Sequence, residues 1–411
     1  MLDADSHGVG NLMRGIKLVS WSGTSGYALS ALDYLRGLVA QQIPIEWVPL
    51  CSGPDGYMPW HTDLGMDALD FFPALSNDPM HTDLQQLVKH CCRSCNYDTV
   101  LVHLPPEYWP LYFEPGRRNI GLTAWETNRL PPHWPSLLNL AERVLVPSNM
   151  NREVFEHCGV VVPVRTVPHM QREISPLMLD KRRQQIRTEL GIGPHTTVFY
   201  SINTWEPRKA VYDLLSAFAS AFTDTDDVLL LIKTSPQGIG APPSFTVEPV
   251  ADLLAKWHQR STRGRKTCLP PIRVIGDNLS GEKIEHLHRA GDVFVSLTHG
   301  EGWGMGGCEA LAHGRPVLMT GWGGQLDYLG NDWPWLVKYR LIQLTPWPQQ
   351  ASFLATQQWA QADLVHAAEL MRSLHCDLPA AMTHATQAAG NLRQRLSMKI
   401  VTDHLLSSLN D

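Results

Sequence analysis

The sequence predicts an α/β protein built from two Rossmann-like parallel-sheet domains that face each other across a cleft. Three observations carry this expectation. Short runs that are apolar throughout, such as VLLLIKT, VFVSL and PVLMT, alternate with helical patterns along most of the chain. Continuous rather than alternating apolarity marks parallel strands covered by helices on both faces. The length, 411 residues, exceeds what one ordinary core accommodates and fits two domains. Between residues 170 and 185, in MQREISPLMLDKRRQQ, the strand pattern lapses and charge rises.

In chain order, strands are expected at Ile16–Trp21, Ile43–Leu50, Thr99–Leu104, Asn119–Trp125, Arg143–Ser148 and Arg165–His169. After the charged stretch they resume at Val198–Asn203, Val228–Thr234, Ile272–Gly276, Val293–Leu297 and Pro316–Gly321. Strand, helix, strand in repetition makes βαβ units and doubly wound sheets. The expected division is residues 1–172 and 173–377, followed by a helical segment, 378–411, that returns toward the first domain. Two such sheets leave a cleft at their strand C-terminal ends, where open α/β sheets bind ligands.

Composition narrows the function. An apolar fraction of 44% and a charged fraction of 18% are those of a globular protein, not a disordered one. A formal charge of -6 argues against a broadly phosphate-coating surface. The first residues, MLDADSHGVGNLMRG, do not read as a signal peptide, and no run approaches the length of a membrane span. Eight scattered cysteines give no disulfide framework, so a cytoplasmic location is expected. The cluster His90, Cys91, Cys92 and Cys95 lacks a second ligand pair other than His157 and Cys158, and a helix end with its following turn is the preferred reading over zinc. Most of the fourteen tryptophans are expected to pack in cores or line the cleft.

The chemistry concentrates in Ser296–Asp327, SLTHGEGWGMGGCEALAHGRPVLMTGWGGQLD. It leaves a buried strand, crosses a glycine-rich turn and enters a helix near Gly306. Gly300, Gly302, Gly304, Gly306 and Gly307 allow close backbone approach to a ligand, and free N–H groups at a helix start favour an anion such as phosphate. Glu301 and Glu309, eight positions apart, would repel phosphates but accept hydrogen bonds from the paired hydroxyls of a sugar or ribose. The simpler alternative is that Glu309 complements the helix dipole and Glu301 is solvated.

The segment Glu301–Val317, E-G-W-G-x-x-x-x-E-A-L-A-x-G-x-P-V, resembles the E-x7-E segment of retaining glycosyltransferases of family four, which have the GT-B fold. FYSINTWEPRKAVYDLLSAFASAF and LSGEKIEHLHRAGDVFVSL are similar to other elements of the same C-terminal domain. NIGLTAWETNRLPPHW and RVLVPSNMNREVFEHCGV resemble a bacterial branch with a W-E-x-x-x-L-P motif. The resemblance implies a nucleotide-diphosphate-sugar donor and no further cofactor. Glu309 would hold the donor ribose, and Glu301 the transferred sugar, with backbone N–H groups of Gly302, Trp303 and Gly304 nearby. Arg208 and Lys209 would neutralise the diphosphate in place of a metal, assisted by Lys233. The loop bearing Gly23 and Gly26 would face the diphosphate and acceptor. Glu126, where relatives place a histidine, would orient acceptor or sugar, and Trp125 and His103 stand as acceptor-side candidates. Asn203 and Thr204 replace a commonly found arginine, and Gly306 a common proline.

Retention of anomeric configuration is expected, with the leaving phosphate taking the acceptor proton. A glycosidase pair of carboxylates does not explain the adjacent cations. An inactive nucleotide-sugar-binding partner, a GT-B epimerase and a phosphorylase stay as alternatives. The acceptor is open: a glycan or glycan precursor leads, and a modified nucleic acid stays possible. The aromatic segment Glu107–Pro115 is either an acceptor wall or a packed loop. The basic group Arg260, Arg263, Arg265 and Lys266 reads as a solvated face, with peripheral contact to anionic lipid at a membrane's inner surface or to nucleic acid as the alternatives.

Overall fold

The structure, a computed structural model, describes residues 14–53, 56–59, 75, 78–172, 174, 181–241, 245–263, 268–347 and 350–410. The first strands are β1 (Ile16–Trp21), β2 (Ile45–Gly53), β3 (Gly56–Pro59), β4 (Thr99–His103), β5 (Arg118–Leu122), β6 (Arg143–Val146) and β7 (Val164–Thr166). They form a sheet in the order β3-β2-β1-β4-β5-β6-β7, parallel except for the edge strand β3. Residue Ile16 of β1 lies between Ile45 of β2 and Thr99 of β4.

The second sheet begins with β8 (Thr197–Ile202) and β9 (Val228–Lys233), followed by a small hairpin, β10 (Gln237–Ile239) and β11 (Val247–Pro249). It continues through β12 (Ile272–Ile275), β13 (Val293–Ser296), β14 (Val317–Thr320) and β15 (Leu336–Val337). The order is β12-β9-β8-β13-β14-β15, all parallel. A further antiparallel hairpin, β16 (Tyr339–Gln343) and β17 (Gln358–Ala362), follows it.

The apolar runs are explained by their two faces. Along β1, Ile16 and Leu18 join one core while Val19 joins another. On β8, Val198 and Tyr200 face one cluster and Phe199 the opposite one. Side chains alternate across a strand, and helices cover both sides, so both sets are apolar. The helix Gly26–Ala40 buries Leu32, Leu35 and Leu38 on the first sheet, its start capped by Ser25 Oγ accepting from the Ala28 amide at 3.2 Å.

The last helix, Met398–Asn410, returns across the first sheet's helical layer. Arg118 and Arg143 donate to the carbonyls of Leu409 and Ser408, each at 2.6 Å. Val401, Leu405 and Leu409 enter the core that spans both sheets.

The expected strands recur with ends moved by a few residues, with two consequences. The strand expected over Asn119–Trp125 stops at Leu122, so Trp125 and Glu126 sit in the following loop. The strand expected over Arg165–His169 is Val164–Thr166. Neither hairpin was anticipated. Cys91 ends the helix Leu84–Cys91, Cys92 caps it and Cys95 follows; among the described residues no cluster of three or more potential ligands is arranged to hold a metal. Arg265, Lys266 and most of the charged stretch after Arg172 lie outside the described residues. Among the described residues, no helix is long and apolar enough to cross a membrane.

Candidate functional site

Each sheet reverses its winding between two neighbouring strands: β1 and β4 in the first, β8 and β13 in the second. Loops that leave such strands diverge and open a crevice at the carboxyl ends. After β1 comes Gly23–Gly26, and after β4 comes Leu104. After β8 comes the segment with Arg208 and Lys209, and after β13 the segment with Glu301. Topology therefore sets two loops side by side at the carboxyl edge of each sheet.

The two second-sheet loops are tied together. Arg208 and Lys209 lie on a 3-10 turn, Pro207–Lys209, which enters the helix Val211–Ala221 through Ala210 at φ 48°. The Arg208 carbonyl accepts from the His299 amide at 2.8 Å and from Thr298 Oγ1 at 3.2 Å. Arg208 Nη1 donates to the Gly300 carbonyl at 2.9 Å and to Glu301 Oε2 at 3.2 Å, while Nη2 donates to Glu206 Oε1 at 3.0 Å. Lys209 Nζ donates to both oxygens of Glu301, at 2.7 and 2.9 Å.

The first half reaches this cluster through Glu126, whose Oε1 lies 3.8 Å from Arg208 Nη1. The approach depends on Gly300, where an added Cβ would stand 2.0 Å from the Glu126 carbonyl oxygen. Only glycine allows backbones that close.

Two cations thus stand among three carboxylates, Glu126, Glu206 and Glu301. Burial pushes the Glu301 carboxyl up, but Lys209 and Arg208 outweigh it and hold it below the usual carboxylate range. Burial also acts on Glu126, and there Arg208 does not compensate, so its carboxyl is raised. Burial opposes the charge on Arg208 as well; Glu126, Glu206 and Glu301 together reverse this and raise it. The arrangement is a largely buried cluster in which two cations are paired with three carboxylates.

Glu301 is followed by the helix Met305–Ala312, entered through Gly304 at φ 85°, a left-handed conformation that costs other residues about 1–2 kcal/mol. The Gly304 carbonyl accepts from Tyr328 Oη at 2.9 Å. Trp303 is 5% exposed and packs edge-on against His169 with centroids 5.9 Å apart. Gly302 packs toward Ala124, 2.8 Å from the position of an added Cβ. Glu309, on the second turn of the helix, keeps 31% of its side chain exposed, against 11% for Glu301. Burial raises its carboxyl, and the hydrogen bond from His288 together with the nearby Arg172 brings it below the usual range.

The remaining sequence-derived residues are more scattered. Gly26 lies against the helix start, an added Cβ falling 3.5 Å from Met305 Sδ, while Gly23 faces open space. Lys233 ends β9 beside Ile202 of β8, half-buried, and burial pulls its ammonium below the usual value. His103 is 2% exposed between Tyr27 and Tyr34, and burial depresses it strongly.

Trp125 is a correction. Its indole is 3% exposed, stacks 4.9 Å from Phe353 and donates from Nε1 to Thr127 Oγ1 and the Arg129 carbonyl, both at 2.7 Å. It is a core residue, not an acceptor surface. Part of the aromatic segment after Glu107 is packed as well: Trp109 is fully buried, with Nε1 donating to the Leu104 carbonyl at 2.9 Å. The sequence reading missed Glu206 and His288. Glu206 stood two residues before Arg208 and was legible as a nearby charge; nothing local marked His288.

No family model matches the chain. A stretch of 142 residues is 30% identical to the D-inositol 3-phosphate glycosyltransferase of Mycobacterium sp. strain KMS, covering 34% of this chain and 28% of that protein. The match thus spans less than a third of the relative's length. Among solved structures, Anabaena Alr3699/HepE in complex with UDP and glucose superposes with a TM-score of 0.57 at 16% identity, covering 96% of this chain and 99% of that one. Sucrose-phosphate synthase from Thermosynechococcus elongatus gives 0.63 at 13% identity, over 95% and 97%. The chain has the GT-B fold, and part of it is similar in sequence to glycosyltransferases.

Proposed function

We propose that this chain transfers a glycosyl group from a nucleoside-diphosphate sugar to an acceptor hydroxyl, with retention of anomeric configuration. The observation that carries the reading is the convergence of Arg208 and Lys209 on Glu301 at a helix start, beside a winding reversal of the sheet. A diphosphate placed there meets two largely buried cations and the positive end of the helix Met305–Ala312. Negative charge grows on the departing diphosphate as the glycosidic bond breaks, and preorganised cations stabilise it. They carry the charge that a divalent cation carries in other transferases, with Lys233 adding to it.

In this reading Glu301, freed from Lys209 by the incoming diphosphate, accepts from hydroxyls of the transferred sugar, and the amides of Gly302, Trp303 and Gly304 line its path. Glu309 accepts from the ribose hydroxyls. The bond from the anomeric carbon to the phosphate oxygen breaks, the bond to the acceptor oxygen forms on the same face, and the leaving phosphate takes the acceptor proton. Glu126, with its raised carboxyl, orients the acceptor or sugar from the first half, and the Gly23–Gly26 loop faces the diphosphate and the acceptor across the cleft. Residues 1–172 form the acceptor side and 173–377 the donor side, with the helical segment 378–411 returning to the first domain. UDP and glucose in the structurally similar Anabaena protein make UDP-sugars the first donors to try, and a glycan or glycan precursor is the first acceptor to test with them.

Calorimetric titration with UDP-, GDP-, ADP- and dTDP-sugars tests the donor site. Binding by the parent, weakened in Glu309→Ala and Lys209→Ala, is the expected result. Absence of binding to all four would remove the reading. Proton NMR of the product separates retention from inversion.

A further inference from the structure

Behind Glu309 stands a buried chain of polar groups drawn from three elements. His288, on the helix Gly281–Ala290, is 1% exposed. Its Nε2 lies 3.3 Å from Glu309 Oε2, and its Nδ1 lies 2.9 Å from the Tyr200 hydroxyl on β8. The ring stacks on His313 at 5.0 Å, with planes 14° apart, and also packs on Phe294 of β13. Arg315 Nε donates to the His288 carbonyl at 3.0 Å, so backbone and ring are both held.

The protons on this chain can be assigned by elimination. An ionised carboxylate only accepts hydrogen bonds, so the nitrogen facing Glu309 carries hydrogen. A neutral imidazole then has one acceptor left, Nδ1, and the Tyr200 hydroxyl supplies the donor. Burial favours the neutral ring, although Glu309 pulls the other way. Tyr200 and His313 are the other titratable side chains against the ring, with Arg315 near by. The chain therefore runs in one direction, Tyr200 to His288 to Glu309. One carboxylate oxygen is fixed by protein, and the 31% of the side chain still exposed is what a ligand can meet.

We propose that His288 is a positioning residue of the nucleotide site: by donating to Glu309 Oε2 it holds that carboxylate in the orientation that accepts from the ribose hydroxyls. The inference rests on the reading of Glu309 as the ribose-binding group. A purely structural pair would hold helix to helix and would not distinguish nucleotides by their ribose.

The experiment is calorimetry with UDP and with 2′,3′-dideoxy-UDP, on the parent chain, His288→Phe, His288→Gln and Tyr200→Phe. The parent is expected to bind UDP more tightly than the dideoxy form. His288→Phe should lose roughly tenfold for UDP, the value of one hydrogen bond to a charged group, and leave the dideoxy form within about twofold. Glutamine keeps a donor near the Nε2 position and should restore part of the loss. Tyr200→Phe removes one hydroxyl without emptying the core and should show the same ribose-dependent loss, only smaller. Equal loss for both nucleotides in the His288 and Tyr200 variants, or no loss in any, overturns the proposal. A parent that binds both nucleotides equally overturns it while leaving a diphosphate site in place. A parent that binds neither removes the donor site itself.

Discussion

Lys209 Nζ lies 2.7 Å and 2.9 Å from the two oxygens of Glu301, and Arg208 reaches the same carboxylate at 3.2 Å. Both cations proposed to meet the diphosphate are thus paired with a side chain of the same site. In the proposed reading Glu301 gives way to the donor's diphosphate, which takes over its cations. This exchange links the stability of the ligand-free site to its affinity for a donor.

Replacing Glu301 by glutamine separates the two roles. Removing one partner of a buried ion pair costs about 3–5 kcal/mol, so the variant should melt earlier. UDP should then raise its Tm by more than it raises that of the parent, because the diphosphate no longer displaces a carboxylate. Glycosyl transfer should still fall by about two orders of magnitude, as expected when a polar contact to the reacting group is lost. Differential scanning fluorimetry with and without UDP checks the first part, and an equal or smaller shift in the variant would count against the exchange.

Gly300→Ala introduces a methyl whose nearest neighbour, 2.0 Å away, is the backbone oxygen of Glu126. Backbone cannot swing aside as a long side chain can. The expected cost is about 1–3 kcal/mol or more, with the Glu126–Arg208 approach opened. Urea denaturation measures the cost; a stability equal to the parent's would mean the two halves do not meet here in solution.

Glu126 provides a pH test. Its folded-state carboxyl is raised above the unfolded value, so the folded state holds the proton more tightly. The penalty is absent where both states are protonated and grows as pH rises through the unfolded value and then the folded one. Glu126→Gln should therefore gain stability relative to the parent on going from pH 4 to pH 7. Thermal melts across that range would show a flat difference if the carboxyl were not raised.

Trp359→Ala tests the hairpin β16–β17. Trp359 is 4% exposed, stacks 4.6 Å from His299 and lies 5.8 Å from Trp347. The hairpin also exchanges two backbone-linked hydrogen bonds with Asn128 of the first half, at 3.0 and 2.7 Å. A loss of about 3–5 kcal/mol is expected for emptying such a site, measured by chemical denaturation. A loss below about 1 kcal/mol would show that the aromatic cluster is not tightly packed.

Much of the fold was legible because the signals are local. Buried parallel strands need apolar side chains on both faces, and Val228–Lys233 and Val293–Ser296 declare this residue by residue. The glycine-rich turn before Met305–Ala312 and the carboxylates Glu301 and Glu309 were legible for the same reason. Trp125 was misread because its strand ends three residues earlier, at Leu122, and because its partner Phe353 is more than two hundred positions away. The hairpins escaped notice because their short strands, such as Tyr339–Gln343, lack a long apolar run.

The sequence by itself determined two doubly wound sheets, the loops that carry glycine and charge, and the two glutamates of the helix start. Those properties follow from periodicity and turn chemistry within a dozen residues. Tertiary structure alone decided that Arg208 would lie among three carboxylates, that Trp125 would be buried under a distant hairpin, and that His288 would stand behind Glu309. Apart from Glu206, two residues from Arg208, each of these is a meeting of side chains separated in the chain, and the charge state of a carboxyl depends on what burial and its neighbours do together.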